Sequence, residues 1–218
     1  MNRLPFDPYD FFGYLASGLL VAVGMDRVLG FPRVLGQDFK VVDAAVLLLG
    51  VYVAGQIVAT LAKATFEDGF VDKILGRPSV NLFREKRPLI RGALFRGFYQ
   101  PLPANVRKKV MEKARGKGVV GLGEGLFLHV RYSREILGDE RILKRLDSFI
   151  NQYGFSRNLA FTSILVGVSL LIKGRLLASA ELLNYGDTAL IAGVALLYRY
   201  LKFFRQYSYE IFNAYAAD

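Results

Sequence analysis

At 218 residues the chain has room for one domain, or for one membrane bundle with a modest insertion. It contains no cysteine, which excludes a disulfide framework, thiolate catalysis and zinc held by cysteine. A hydrophobic share of 53% and a mean hydropathy of +0.29 stand beside 22% charged residues and a net charge of +10, so apolar and charged residues must be segregated along the chain.

Residues 1–10 carry Arg3 against Asp7 and Asp10, and no A-x-A cleavage site follows the first apolar run. This predicts an uncleaved first helix rather than a secretory signal. The first apolar segment, Phe11–Met25, has no charge, and the second, Ala44–Ala62, has only Gln56 as a strongly polar residue. The third, Leu159–Ile172, is interrupted only by Thr162, Ser163 and Ser169, and the fourth, Thr188–Tyr198, runs into Arg199. Each is apolar around the whole helix circumference, which indicates burial on all sides. A bilayer core needs about 20 helical residues. The first segment reaches that length with Phe6 and Tyr9, and the third with Tyr153 and Phe155. The fourth does so with Arg199 and Lys202 snorkelling and Phe203 and Phe204 at the interface.

Between the second and third segments the composition inverts. Residues 63–157 hold 20 of the 29 Lys+Arg and 10 of the 19 Asp+Glu, so the flanks are neutral and the whole net charge lies in the middle. Lys63–Leu75 reads as an extension of the second helix, stopped at Gly76, Arg77 and Pro78. A helix over Ala104–Arg115 follows Pro101 and Pro103, and Gly116–Gly125 is a flexible turn region. From Asp139, a candidate N-cap, Ile142, Leu146, Phe149, Ile150 and Tyr153 recur at helical spacing and lead into the third apolar segment.

The division is therefore 1–62, an N-terminal transmembrane hairpin; 63–157, a basic cytoplasmic domain; and 158–218, a C-terminal transmembrane hairpin and tail. The expected fold is all-α: an integral membrane four-helix bundle of two hairpins with an inserted small, mostly helical basic domain. Short cytoplasmic loops carry the excess Lys/Arg. That rule places the middle region and both termini inside, and puts outside the 26–43 loop (Arg27, Arg33, Lys40) and the 173–187 loop (Lys173, Arg175).

The strongest local signal is polybasic. Arg84, Lys86, Arg87, Arg91 and Arg96 are interleaved with Leu82, Phe83, Leu89, Ile90, Phe95, Phe98 and Tyr99, and Arg107, Lys108, Lys109, Lys113, Arg115 and Lys117 follow. Such clusters attract anionic lipid headgroups at about 1 kcal/mol per charge near the surface. A purely topological role, a nucleotide or nucleic acid, and a cytoplasmic protein partner remain alternatives. Small residues four apart form a second pattern: Gly18 and Ala22, Gly50 and Ala54, Gly55 and Ala59, Ser163 and Gly167, and Ala189 and Gly193. These pairs let helix backbones approach closely in lipid, within one chain or in a homo-oligomer.

Other motifs read as ordinary. GKGVVG at Gly116–Gly121 matches G-x-G-x-x-G, but a lysine-rich helix precedes it instead of the strand that a dinucleotide site requires. His129 is the only histidine and has no ligand spacing around it, so neither a metal site nor a catalytic role is expected of it. Glu67, Asp68 and Asp72 are expected to be neutralised by Lys63, Lys73 or an arginine of the middle region rather than to bind a cation. No ionisable residue falls at the middle of an apolar segment, which argues against proton- or sodium-coupled transport. No cofactor is expected.

The plan of short membrane hairpins around a compact basic domain resembles small bacterial membrane effectors, including those of antiviral defence. It implies a non-enzymatic bacterial inner-membrane protein that senses a cytoplasmic cue and oligomerises or rearranges its helices to perturb the membrane. A passive scaffold for a protein or nucleic acid is the alternative. An enzyme acting on lipid or nucleotide, using His129, Glu124 or the 67–72 acids, is the third.

Overall fold

The computed structural model describes residues 8–30, 40–119 and 121–217, and among them every regular element is helical, with no strand. Arg33 and Phe6, which enter the topology and length arguments, lie outside the described residues. Four helices are long and apolar enough to cross a membrane, at Phe11–Leu29, Val41–Asn81, Glu140–Leu176 and Ala180–Ala217. The chain divides into two compact units. One comprises 1–69 and 154–200, the other 70–153 and 201–218.

In the first unit, α1 (Pro8–Leu29) and α2 (Val41–Ala62) pack through glycine. A Cβ on Gly18 would lie 1.8 Å from the Val51 carbonyl oxygen, and one on Gly55 would lie 1.9 Å from that of Tyr14. Backbone therefore meets backbone there, an approach that only glycine permits. The first-unit parts of α8 (Glu140–Leu176) and α9 (Ala180–Ala217) pair through glycines in the same way. Gly167 meets Leu190 and the Gly186 carbonyl, Gly193 meets Ile164 and Ser163, and Gly24 of α1 meets Val166. The turn joining α8 to α9 closes with a Ser179 N–H bond to the Gly174 carbonyl at 2.9 Å, and Ala178 takes a left-handed conformation at φ 49°.

Charged groups of the first unit pair across its helices. Arg27 pairs with Glu181 at 3.7 Å and lies over the Tyr185 ring, while Lys173 Nζ donates to the Arg27 carbonyl at 3.0 Å. Farther along α8, Arg157 pairs with Glu67 at 2.6 Å. From Arg157 to Lys173, α8 carries no charge over about 24 Å of helix. The large apolar side chains on α2, from Val41 and Val46 through Leu49 and Val53 to Ile57 and Leu61, are exposed.

The extension of α2 over Lys63–Leu75 is helical, as its sequence predicts, but it is wound as a π-helix. Its last bond runs from the Gly76 N–H to the Val71 carbonyl at 2.7 Å, five residues back. Long π segments are rare. Gly76, at φ +80°, ends it.

The second unit is built on α3 (Pro78–Asn81), α4 (Leu89–Leu94), α5 (Ala104–Gly116), α6 (Glu124–Arg131), α7 (Arg134–Leu137) and parts of α8 and α9. Asp139 caps α8 as its sequence position predicts, its Oδ1 accepting from the N–H groups of Arg141 at 2.7 Å and Ile142 at 3.3 Å. The core forms where helical spacing places apolar residues on one face. Val110 and Ala114 come from α5, Leu126 and Val130 from α6, Leu146 from α8, and Ile211, Phe212 and Tyr215 from α9. The end of α9, which the sequence presents as a tail after the fourth apolar segment, is thus core of this unit. Phe149 and Tyr153 of α8 face Phe203 and Phe204 of α9, with ring centroids 6.4 and 5.1 Å apart.

Candidate anion and membrane interface

The basic, apolar stretch after α3 folds into a pinned loop. Tyr99 is buried and donates its hydroxyl to the Leu75 carbonyl at 2.8 Å, and burial pushes its phenol pKa up. Phe95 meets Phe70 edge to face at 5.9 Å, Arg91 donates to the Ile74 carbonyl, and Arg205 grips the Gln100 carbonyl at 2.8 and 3.1 Å. These anchors hold a short helix, α4, with its apolar side chains turned outward. Leu89 is 93% exposed, Ile90 85% and Leu94 60%. Around them Arg84, Lys86, Arg87, Arg91 and Arg96 are also exposed. Fixed apolar side chains among cations are what an anionic bilayer surface accommodates, the apolar groups entering the acyl boundary and the cations staying with the headgroups.

The second basic group lies on α5. Arg107, Lys108, Met111 and Arg115 share one face of that helix and, with Phe83 and Leu122, line an open cleft of about 460 Å³. Arg107 pairs with Glu85 at 3.3 Å and donates to the Phe83 carbonyl at 3.4 Å. Lys108 pairs loosely with Glu112 at 3.8 Å. Lys109 is exposed and does not line the cleft.

Lys113 and Lys117 are engaged inside the unit instead. Both reach Glu135 Oε1, at 3.2 and 2.6 Å, and Lys113 Nζ also donates to the Tyr215 carbonyl at 3.2 Å. The Lys117 hydrogen bond, aided by Lys113, lowers the Glu135 carboxyl pKa to about 2 and raises that of Lys117. His129 sits edge-on to Tyr215 at 6.4 Å, with Nε2 buried and lacking a hydrogen-bond partner.

Two of the three acids beyond the end of α2 have arginine partners. Asp72 accepts two hydrogen bonds from Arg77, at 2.9 and 2.6 Å, and Arg77 also pairs with Glu124; Glu67 pairs with Arg157, and Asp68 is exposed. Among the described residues no three histidine or acidic side chains are placed to hold a metal ion. Of the glycines of GKGVVG, Gly116 ends α5, and Gly118 and Gly121 fall in the loop between α5 and α6 at φ +79° and +117°.

Of the small-residue positions, Gly18 and Gly55 meet in the α1–α2 contact, and Ser163, Gly167 and Gly193 in the α8–α9 contact. Ala59 is buried, while Ala22, Ala54 and Ala189 are half-buried. Gly50 has open space around it. Sequence reasoning passed over Glu135, Tyr215 and Glu85. Each lies far along the chain from the cation it holds, so no spacing rule links them. No protein-family model, curated protein or solved structure matches the chain.

Proposed function

We propose that this chain is a multi-pass protein of the bacterial inner membrane, with α1, α2, α8 and α9 as its spanning helices and the basic unit on the cytoplasmic side. It acts without catalysing a reaction. The basic unit docks on anionic lipid in response to a cytoplasmic cue, and the helices respond by rearranging or oligomerising, which perturbs the membrane. The observation that carries this reading is the pinned α4 loop, with Leu89 and Ile90 almost fully in solvent among Lys86, Arg87, Arg91 and Arg96. A soluble surface gains nothing from that arrangement, whereas burying one such side chain in lipid is worth about 1.5–3 kcal/mol.

Because the chain lacks cysteine, one cysteine at Leu89 takes an environment-sensitive dye at a single place. The full chain is used, since residues 77–150 alone lack the core side chains of α9. Reconstituted in bilayers containing phosphatidylglycerol, the dye should shift toward the blue, and high salt should reverse the shift by screening the cations. In pure phosphatidylcholine it should stay solvent-like. Equal emission in both bilayers removes the docking step. Ion flux from the same proteoliposomes separates the effector from a passive scaffold: vesicles that stay tight under every condition leave only the scaffold.

A further inference from the structure

We infer that the α5 cleft is a separate binding site for a phosphate ester carried on an apolar or aromatic body. This does not depend on α4 docking to a membrane.

The cleft's volume, about 460 Å³, falls in the range of sites that enclose ligands of nucleotide size. One wall is rigid: Phe83 is buried, packs edge to face on Phe212 at 4.9 Å, and has its carbonyl bonded by Arg107. The facing wall is a turn-spaced stripe of α5, with Arg107, Met111 and Arg115 four residues apart and therefore aligned. Leu122, 57% exposed, stands at the edge of the cleft on the glycine loop. Gly121 and Gly123 beside it hold φ values of +117° and +108°, which a side chain would strain, so the loop is shaped to place that leucine.

The charges define the ligand. The two lining carboxylates are already occupied, Glu85 by Arg107 and Glu112 by Lys108. Arg115 has no such partner among the described residues, which leaves one uncompensated cation beside the apolar patch. In both existing pairs the carboxylate is largely in solvent, so a phosphate displaces Glu85 and Glu112 at small cost and gathers all three cations. Inorganic phosphate would use the cations and leave Met111 and Leu122 wet. A phosphate ester with a base or an acyl chain uses both halves. Its source is either a soluble nucleotide or an anionic phospholipid.

Calorimetric titration of the detergent-solubilised full chain tests this with two probes, AMP and short-chain phosphatidylglycerol, and with adenosine as the phosphate-free control. Saturable binding of AMP identifies a soluble ligand, and binding of the lipid alone identifies a lipid site; adenosine should not bind measurably. Arg115→Gln should weaken the bound probe by about tenfold or more, the loss expected for a charge-assisted contact. Lys109→Gln removes an equal charge from the same helix outside the cleft and should leave affinity unchanged. Equal weakening by the two variants means diffuse attraction and overturns the site, as does the failure of both probes to saturate at millimolar concentration. The dye at position 89 reports on α4 alone, so either idea can fail without the other.

Discussion

Glu135 receives both Lys113 and Lys117 on one oxygen, and Lys113 in turn holds the Tyr215 carbonyl and lies over its ring at 4.7 Å. The carboxylate therefore fixes the end of α9 through a lysine. Its pKa is depressed from 4.5 to about 2, so the folded state favours the charged form. The stabilisation is complete above the unfolded value and is lost as pH falls from about 4.5 toward about 2. Both lysines are partly in solvent, which keeps the gain near that of a surface pair, so Glu135→Gln should cost about 1 kcal/mol at neutral pH. Unfolding followed by circular dichroism should show that difference shrinking to nothing as the pH approaches 2. A difference that is constant with pH would mean the carboxylate charge contributes nothing. In the sequence Lys113 and Lys117 are indistinguishable from Arg107 and Lys108, because charge patterning does not reveal which lysines a distant glutamate holds.

Within α2, Gly50 and Gly55 both begin a small-residue pair, and the sequence gives them equal standing. The fold separates them, since five residues on a helix turn a side chain to another face. Gly55 lies against the Tyr14 carbonyl, and Gly50 faces open space. Gly55→Ala should push α1 and α2 apart and cost about 1–3 kcal/mol, as overpacking does. Gly50→Ala should be neutral or stabilise by about 0.5–1 kcal/mol through helix propensity. Thermal melting of the solubilised variants should fall for Gly55→Ala and hold or rise for Gly50→Ala. A loss at Gly50 as large as at Gly55 would show that Gly50 too lies in a packed contact, one made by a second copy. All-round apolarity made the four long helices legible. The π winding of Lys63–Leu75 was not legible, because its residues are those of an ordinary α-helix and only the pattern of backbone bonds differs.

At the scale of the whole chain, segregation of charge marked out the basic region, but not the return of 201–217 to its core. A signal was present: Leu201, Ser208, Ile211, Phe212 and Tyr215 are buried at helical spacing, but aromatic residues after an apolar run read equally well as an interfacial belt. Topology rests on the same charge counts, and single cysteines test it. Gly116 is exposed with nothing within 4 Å and is a better site than Gly118, whose φ of +79° would strain a side chain. Ala180 and Ala217 are exposed at the two ends of α9, and position 33 lies in the sequence between the first two apolar segments. In intact spheroplasts an impermeant maleimide should label cysteines at 33 and 180, and should reach 116 and 217 only after lysis. Position 180 is the decisive one. In α2, Asp43 and Lys63 bracket an uncharged stretch of about 30 Å, but in α9 Asp187 and Arg199 leave only about 18 Å, short of a bilayer core unless Arg199 snorkels. Labelling at 33 but not at 180 before lysis would mean that the α8–α9 pair does not cross. Labelling at 116 from outside would invert the whole assignment, since the 20 Lys and Arg of residues 63–157 would then lie on the side that the positive-inside rule disfavours.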